Sequence, residues 1–207
     1  MLEFEKKVML TEEEYNCLMK LKDIFVDSFV QANYYYDSDD YEMNAMGITC
    51  RIREKDGVYQ ATIKAHQSKE SECSIENSQT VLSEYDDSLF RNMDLKMQGF
   101  LITYRCIMFS HAGVEIVIDK NSYLGITDYE LEIEYAVEKK QQAESLLGGI
   151  AQTLSARLCG INVDKFYESS ENTKSKSERF FELKQKMQKE HSKSKRRKID
   201  VFNLGRD

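Results

Sequence analysis

Two short runs of alternating carboxylates mark this chain, Glu3-Phe4-Glu5-Lys6-Lys7 near its start and Glu130-Leu131-Glu132-Ile133-Glu134 far downstream. Successive side chains of an extended strand point to opposite faces, so Glu3, Glu5 and Lys7 share one face while Leu2, Phe4 and Val8 share the other. The same alternation sets Glu130, Glu132 and Glu134 side by side with no basic residue among them. A single strand of this kind is ordinarily one with a wet face. Two such strands facing each other would make a carboxylate cluster that needs a cation, and hard oxygen donors suit Mg²⁺ or Mn²⁺.

Basic residues with the same spacing lie between the two runs. Ile48-Thr49-Cys50-Arg51-Ile52-Arg53 alternates, Asp56-Gly57 is a two-residue hairpin signal, and Val58 to His66 alternates again with Gln60, Thr62, Lys64 and His66 on one face. The hairpin therefore gathers Arg51, Arg53 and Lys64, and Arg105 sits inside a later apolar run. Guanidinium and ammonium groups match phosphate oxygens. Burying these charges unpaired would cost roughly several kcal/mol each. A divalent cation together with a chain of phosphates satisfies both sets at once.

The elements that must carry these residues are mostly short strands. Beyond those named, residues 29–37, Glu72 to Gln79, Phe100 to Met108, Val114 to Asp119 and the Glu130–Glu134 run read as strands, giving about eight, mostly antiparallel by loop length. Thr11 and Glu14 form a capping-box pattern ahead of an amphipathic helix to about Asp27. Residues 82–98 are expected to be helical through Leu82, Tyr85, Leu89, Phe90, Met93 and Leu95. Asn121 to Gly125 reads as a turn. Val137 to Leu158 is expected to be a helix with Ala143, Leu146, Leu147, Ile150, Leu154 and Leu158 facing the core. Many short antiparallel strands close most readily into a barrel or curved sandwich, which removes their edges.

Composition narrows the function classes. A chain of 207 residues with 41% hydrophobic content fits one sizeable domain with an appendage. No run is long enough to cross a bilayer as a helix, and the acidic start lacks the layout of a secretory signal, so a cytoplasmic location and no membrane partner are expected. The five cysteines are widely spaced, lack Cys-x-x-Cys pairs, and are expected to be reduced core residues; with three histidines, none paired with a cysteine, a structural zinc site is not expected. Net charge is -7, yet residues 174–198 hold eleven Lys/Arg against three Glu. So acidic a body excludes general nucleic-acid binding, leaving the basic tail as the one place for it. The tail starts near Glu168, with a helix expected over Ser177 to Lys189.

The ordered set Glu3-x-Glu5-x-Lys7, Tyr35-Tyr36-Asp37, Arg51-x-Arg53, Lys64, Arg105, Asp119 with Tyr123-Leu124-Gly125, and Glu130-x-Glu132-x-Glu134 resembles the CYTH family of triphosphate tunnel metalloenzymes over about residues 1–165. Lys174-Ser175-Lys176 before Glu178-Arg179-Phe180 resembles the closing helix of some members. The resemblance implies an α+β fold in which an eight-stranded antiparallel β-barrel, the triphosphate tunnel, is flanked by helices. Residues 1–167 would form the tunnel domain and residues 168–207 a helical, basic tail able to pack on it.

Carried across, the resemblance makes Glu3, Glu5, Glu132 and Glu134 the ligands of Mg²⁺ or Mn²⁺, with Glu130, Glu76 and Asp119 supporting them. Arg51, Arg53, Lys64 and Arg105 would hold phosphate oxygens, and Lys7 would lie near the transferred phosphoryl group. Lys7, Glu5 and Glu134 are the expected catalytic residues. The implied activity is metal-dependent hydrolysis of a triphosphate, with inorganic triphosphate ahead of thiamine triphosphate and nucleoside triphosphates. The alternatives are a class IV-type adenylate cyclase and a non-catalytic module for polyphosphate or nucleotide. Cyclases of that type resemble one another in a His-Phe pair upstream of the first Glu, for which Glu3 as third residue leaves no room. A monomer or homodimer acting on a small triphosphate-containing molecule is expected.

Overall fold

A computed structural model describes residues 2–66, 73–154 and 173–204 of the chain. Within the first of two units, Met1–Thr173, eight strands are ordered β1-β5-β4-β3-β2-β6-β7-β8 and close into a barrel. They are β1 (Leu2–Leu10), β2 (Asp27–Asp37), β3 (Ile48–Lys55), β4 (Val58–His66), β5 (Cys73–Val81), β6 (Lys96–His111), β7 (Val114–Tyr123) and β8 (Ile126–Tyr135). Every pairing is antiparallel, and the ring is sealed where β1 pairs with β8 on one side and β5 on the other. The expected α+β architecture, an eight-stranded antiparallel barrel with flanking helices, is the observed one.

The apolar faces of the strands point outward. Val8, Leu10, Ile116, Ile118, Leu131, Ile133 and Tyr135 pack outside the barrel with Tyr15 and Leu18 of α1 (Glu12–Leu18) and Ala143 of a later helix, α4 (Lys140–Leu154). A second outer cluster joins Tyr36, Cys50, Ile52, Ala61, Phe90 and Leu95. It is bordered by the short helices α2 (Glu42–Ala45), which carries Met43, and α3 (Ser88–Arg91), which carries Phe90. Each fully buried Leu, Ile or Phe contributes about 1.5–3 kcal/mol. Stability thus resides in the shell between barrel and helices, which leaves the lumen available for polar residues.

Local signals explain most boundaries. Thr11 and Glu14 form the expected capping box, Thr11 Oγ1 accepting from Glu14 N–H at 3.2 Å and Glu14 Oε2 from Thr11 N–H at 2.7 Å. The helix tightens to 3₁₀ geometry over Met19–Ile24 before β2. Asp56 and Gly57 turn the β3–β4 hairpin with φ of 53° and 76°, left-handed values that Gly adopts without steric cost.

Three expectations fail. Residues 82–98 form no long helix: only Ser88–Arg91 is helical, β6 already begins at Lys96, and Leu82 and Tyr85 are exposed. Leu82 N–H bonds the Asp86 carboxylate at 3.0 Å and Asp94 adopts a positive φ, so local turns replace helical spacing. Asn121, Ser122 and Tyr123 are not a turn but the end of β7, with the reversal at Leu124-Gly125. Cys17 is disulfide-bonded rather than reduced, whereas Cys50 and Cys106 are free and buried. After a 3₁₀ turn at Val137–Lys139, α4 is described to Leu154; the expected extension to Leu158, the tail start near Glu168, and Glu72 lie outside the described residues.

In the second unit, Lys174–Asp207, a helix α5 (Lys176–Leu204) extends well past the expected Lys189. Ser175 and Glu178 cap its start reciprocally, at 2.7 and 3.3 Å.

Candidate active site

Strand alternation, with apolar faces turned outward, sends the polar faces into the lumen. On β1 and β8, Glu5 is the register partner of Glu134 and Lys7 of Glu132, and on β7 Asp119 is the partner of Glu130. Oxygens of Glu5, Glu132 and Glu134 lie within 4.8 Å of one another, as do those of Asp119, Glu130 and Glu132. Three adjacent strands thus build a wall of carboxylates. In the eight-strand ring this wall stands across the lumen from β2, β3 and β4, and β3 and β4 carry Arg51, Arg53 and Lys64.

The acidic wall is held together by cations. Arg105 on β6 donates to both oxygens of Asp119, Nε to Oδ1 at 2.9 Å and Nη2 to Oδ2 at 2.7 Å. It also bonds Glu134 at 3.1 Å and makes a short contact to Glu132. Burial alone would favour its neutral form, but Asp119 and Glu132 outweigh that and raise its affinity for the proton. Lys7 Nζ lies 2.8 Å from Glu5 and 3.4 Å from Glu132, and Lys64 Nζ reaches Glu5 at 3.3 Å.

These contacts separate two half-buried carboxylates, Glu5 and Glu134, electrostatically. Burial would raise Glu5, but Lys7 and Lys64 more than offset it and bring its pKa from 4.5 down to about 2. Burial raises Glu134, and repulsion from Glu132 and Glu5 adds to it against the pull of Arg105. At neutral pH Glu5 is an anion fixed by two ammonium groups, while the raised pKa of Glu134 marks a carboxylate that a further positive charge would relieve.

The opposite wall is short of anions. Arg51 Nη2 reaches Glu76 on β5 at 3.4 Å. Arg53, on the same face, makes one hydrogen bond among the described residues, from Nε to Asn33 Oδ1 at 3.0 Å. Burial first, then repulsion from Arg51 and Arg105, lowers its pKa to about 10. A half-buried, desolvated guanidinium with a neutral amide as its partner among the described residues is an anion site by its chemistry.

The structure therefore gathers Glu5, Lys7, Arg105, Glu130, Glu132, Glu134 and Asp119 at one wall, and Arg51, Arg53 and Lys64 at the other. Arg105, expected with Arg51, Arg53 and Lys64 to hold phosphate oxygens, bonds the carboxylates of Asp119, Glu132 and Glu134 on the acidic wall. Glu76 faces Lys64 in register and Ser78 Oγ donates to it at 3.2 Å, so it accompanies the basic wall. Glu3 is the register partner of Ser74 on the β1–β5 ladder. Tyr36 faces outward, its hydroxyl donating to Glu84 O at 2.6 Å, and Asp37 accepts from the N–H groups of Ser38, Met43 and Asn44, fixing the loop before α2. Sequence reasoning missed Gln31, Asn33, Thr103, Asn121 and Asp128. Thr103 Oγ1 donates to Asn121 Oδ1 at 2.7 Å, and Asn121 Nδ2 donates to Asp128 and Glu130, each at 3.0 Å. The alternation Gln31-x-Asn33-x-Tyr35 was the available signal.

The acidic wall fits a hard divalent cation: Glu5, Glu132 and Glu134 each offer one carboxylate oxygen at mutually compatible separation.

Comparison with known proteins agrees with this geometry. A family model described as the CYTH domain matches residues 1–155. A Bacillus subtilis (strain 168) protein, YjbK, provisionally named a triphosphatase, is 28% identical over 201 residues, covering 89% of this chain and 97% of its own. A crystal structure from Bacillus halodurans, provisionally named an adenylate cyclase, superposes with a TM-score of 0.62 at 25% identity, covering 86% of this chain and 97% of that one. A Hippeastrum protein titled as a provisional adenylyl cyclase with a dominant triphosphatase activity has a TM-score of 0.64 at 15% identity, covering 87% and 95%.

Proposed function

This chain belongs to the CYTH domain family, and from that footing we propose that it is a divalent-metal-dependent triphosphatase that hydrolyses a triphosphate, inorganic triphosphate foremost, inside its barrel. The observation that carries the reading is the opposition of the two walls: clustered oxygens of Glu5, Glu132 and Glu134 on one side, Arg51, Arg53 and Lys64 on the other. A polyanion with a bound cation is the ligand that satisfies both. The triphosphatase activity named for YjbK and for the Hippeastrum protein supports the choice of hydrolysis.

Glu5, Glu132 and Glu134 would hold Mg²⁺ or Mn²⁺, with Glu3 added by the family pattern, and the ion would supply charge neutralisation at the phosphoryl oxygens and a more acidic water. Arg51 and Arg53 bind and orient the phosphates, and Lys64 bridges the two walls through Glu5. Lys7, 2.8 Å from Glu5, would donate to the oxygens of the phosphoryl group in transit. Arg105 holds Asp119, Glu132 and Glu134 in place through its ion pairs. Catalysis of this kind is positioning and electrostatic stabilisation, with little covalent chemistry left to the protein. Residues 1–167 are proposed as the catalytic domain and 168–207 as an appendage.

The test is a substrate panel of inorganic triphosphate, thiamine triphosphate, ATP and GTP, each with Mg²⁺ and with Mn²⁺. Phosphate release from inorganic triphosphate that stops in EDTA is expected. Pyrophosphate and a cyclic nucleotide from ATP would identify a cyclase, and tight binding without turnover would identify a binding module.

A further inference from the structure

Two amides on β2 take no part in the reading above. Gln31 and Asn33 lie on the lumen face of the strand, 2% and 0% exposed. Gln31 Nε2 and Asn33 Nδ2 are both buried without an acceptor among the described residues. Buried N–H groups are almost always paired, because leaving one unpaired forfeits its hydration with no return. Two on adjacent lumen positions of one strand indicate an acceptor that the described residues do not themselves provide.

Their surroundings say which acceptor. Arg53 Nε donates to Asn33 Oδ1 at 3.0 Å. That bond turns the amide oxygen toward the guanidinium and leaves the NH₂ group as the free end. Arg53 has no carboxylate partner among the described residues. Gln31 is the register partner of Thr103 on β6 and of Lys55 on β3, while Asn33 pairs with Arg53 itself. The patch therefore presents directed N–H groups from Gln31, Asn33 and Arg53. In the ring, β2 stands opposite β1, across the lumen from Glu5.

We propose that the side-chain N–H groups of Gln31 and Asn33, together with Arg53, form an oxyanion subsite for the phosphate farthest from the Glu5–Glu132–Glu134 cluster, and that this subsite favours a bare terminal phosphate over an esterified one. The inference rests on the triphosphate reading. A bare terminal phosphate offers three non-bridging oxygens, all acceptors, to a patch of donors. An esterified phosphate offers two, and its alcohol portion brings hydroxyls and carbon into a site built to give protons. Inorganic triphosphate is the substrate class this selects over nucleoside triphosphates.

Gln31→Met is the informative variant, because it keeps the length of the side chain, removes the donor, and breaks no hydrogen bond within the protein. Its melting temperature is expected to equal or exceed that of the wild type, since a purely structural glutamine would lower it. KM for inorganic triphosphate is expected to rise about tenfold, in line with loss of one hydrogen bond to a charged acceptor, with kcat within about twofold and KM for ATP little changed. Asn33→Ala, which also removes the acceptor of Arg53, is expected to lose more. The same loss should appear in calorimetric binding of inorganic triphosphate in EDTA, which needs no turnover. Wild type that binds but does not hydrolyse would refute the enzymatic reading while leaving the subsite tested by binding. Active wild type with Gln31→Met unchanged in both KM and affinity would overturn the subsite alone, and equal losses for ATP and inorganic triphosphate would overturn its selectivity.

Discussion

Glu5 and Glu134 are register partners on the ladder between β1 and β8, so the strands that carry the two carboxylate runs meet where the barrel is sealed. Glu132 joins them within 4.8 Å. Neither strand holds the cluster alone: closing the barrel and assembling the acidic wall are the same event. The wall is tolerable only because Arg105, Lys7 and Lys64 reach into it, and its remaining charge faces a set of cations across the lumen.

Arg105→Met should unfold the acidic wall before anything else. The side chain is 8% exposed and bonds Asp119, Glu132 and Glu134. Breaking a buried ion pair from one side costs about 3–5 kcal/mol, so differential scanning calorimetry should show a drop in Tm of many degrees. Millimolar Mg²⁺ should recover part of it by replacing the lost positive charge. A Tm within a degree or two of wild type would mean that the carboxylates do not depend on Arg105.

Arg53→Met should do the reverse to stability and still damage function. A desolvated cation whose partner among the described residues is an amide costs free energy, so the variant is expected to melt no lower than wild type. Its KM for inorganic triphosphate should rise roughly ten- to hundredfold through loss of a charged donor. Unchanged KM would remove Arg53 from the phosphate site.

Stability should depend on pH in two opposing ways. Glu5 has a depressed pKa, so its contribution is complete above its ordinary value of 4.5 and is lost as pH falls from there to about 2. Glu134 has a raised pKa, so its ionised form costs stability above that pKa, and protonation relieves the cost as pH falls. Urea unfolding across pH should therefore show the acid-side loss diminished in Glu5→Gln, and higher stability at pH 7 in Glu134→Gln. A Glu5→Gln variant that keeps the full loss between pH 4.5 and 2 would contradict the assignment to Lys7 and Lys64.

Much of this site was legible because period-two alternation is a strong signal. Once Glu3-x-Glu5-x-Lys7 and Glu130-x-Glu132-x-Glu134 are set on strands, their faces follow, and Asp56-Gly57 fixes the register that aligns Arg51 and Arg53 with the β4 face bearing Lys64. Three things were hidden for physical reasons. Leu82, Tyr85 and Met93 mimic a helical stripe, yet Asp86 and Asp94 make turns and leave them in solvent. Arg105 carries no mark of which wall it serves, since that depends on β6 lying beside β7, where Asp119 is its register partner. Gln31 and Asn33 are neutral, and only burial without acceptors distinguishes them from ordinary strand residues.

The most direct measurement is phosphate release from inorganic triphosphate by wild type and Glu134→Gln, each with Mg²⁺ and with EDTA, alongside binding of the same compound in EDTA. Wild type should turn over only with metal, and Glu134→Gln should lose at least about a hundredfold in kcat while binding triphosphate through the unaltered Arg51 and Arg53. Metal-independent release, or a Glu134→Gln variant as active as wild type, would contradict a metal-dependent triphosphatase built on the Glu5–Glu132–Glu134 cluster.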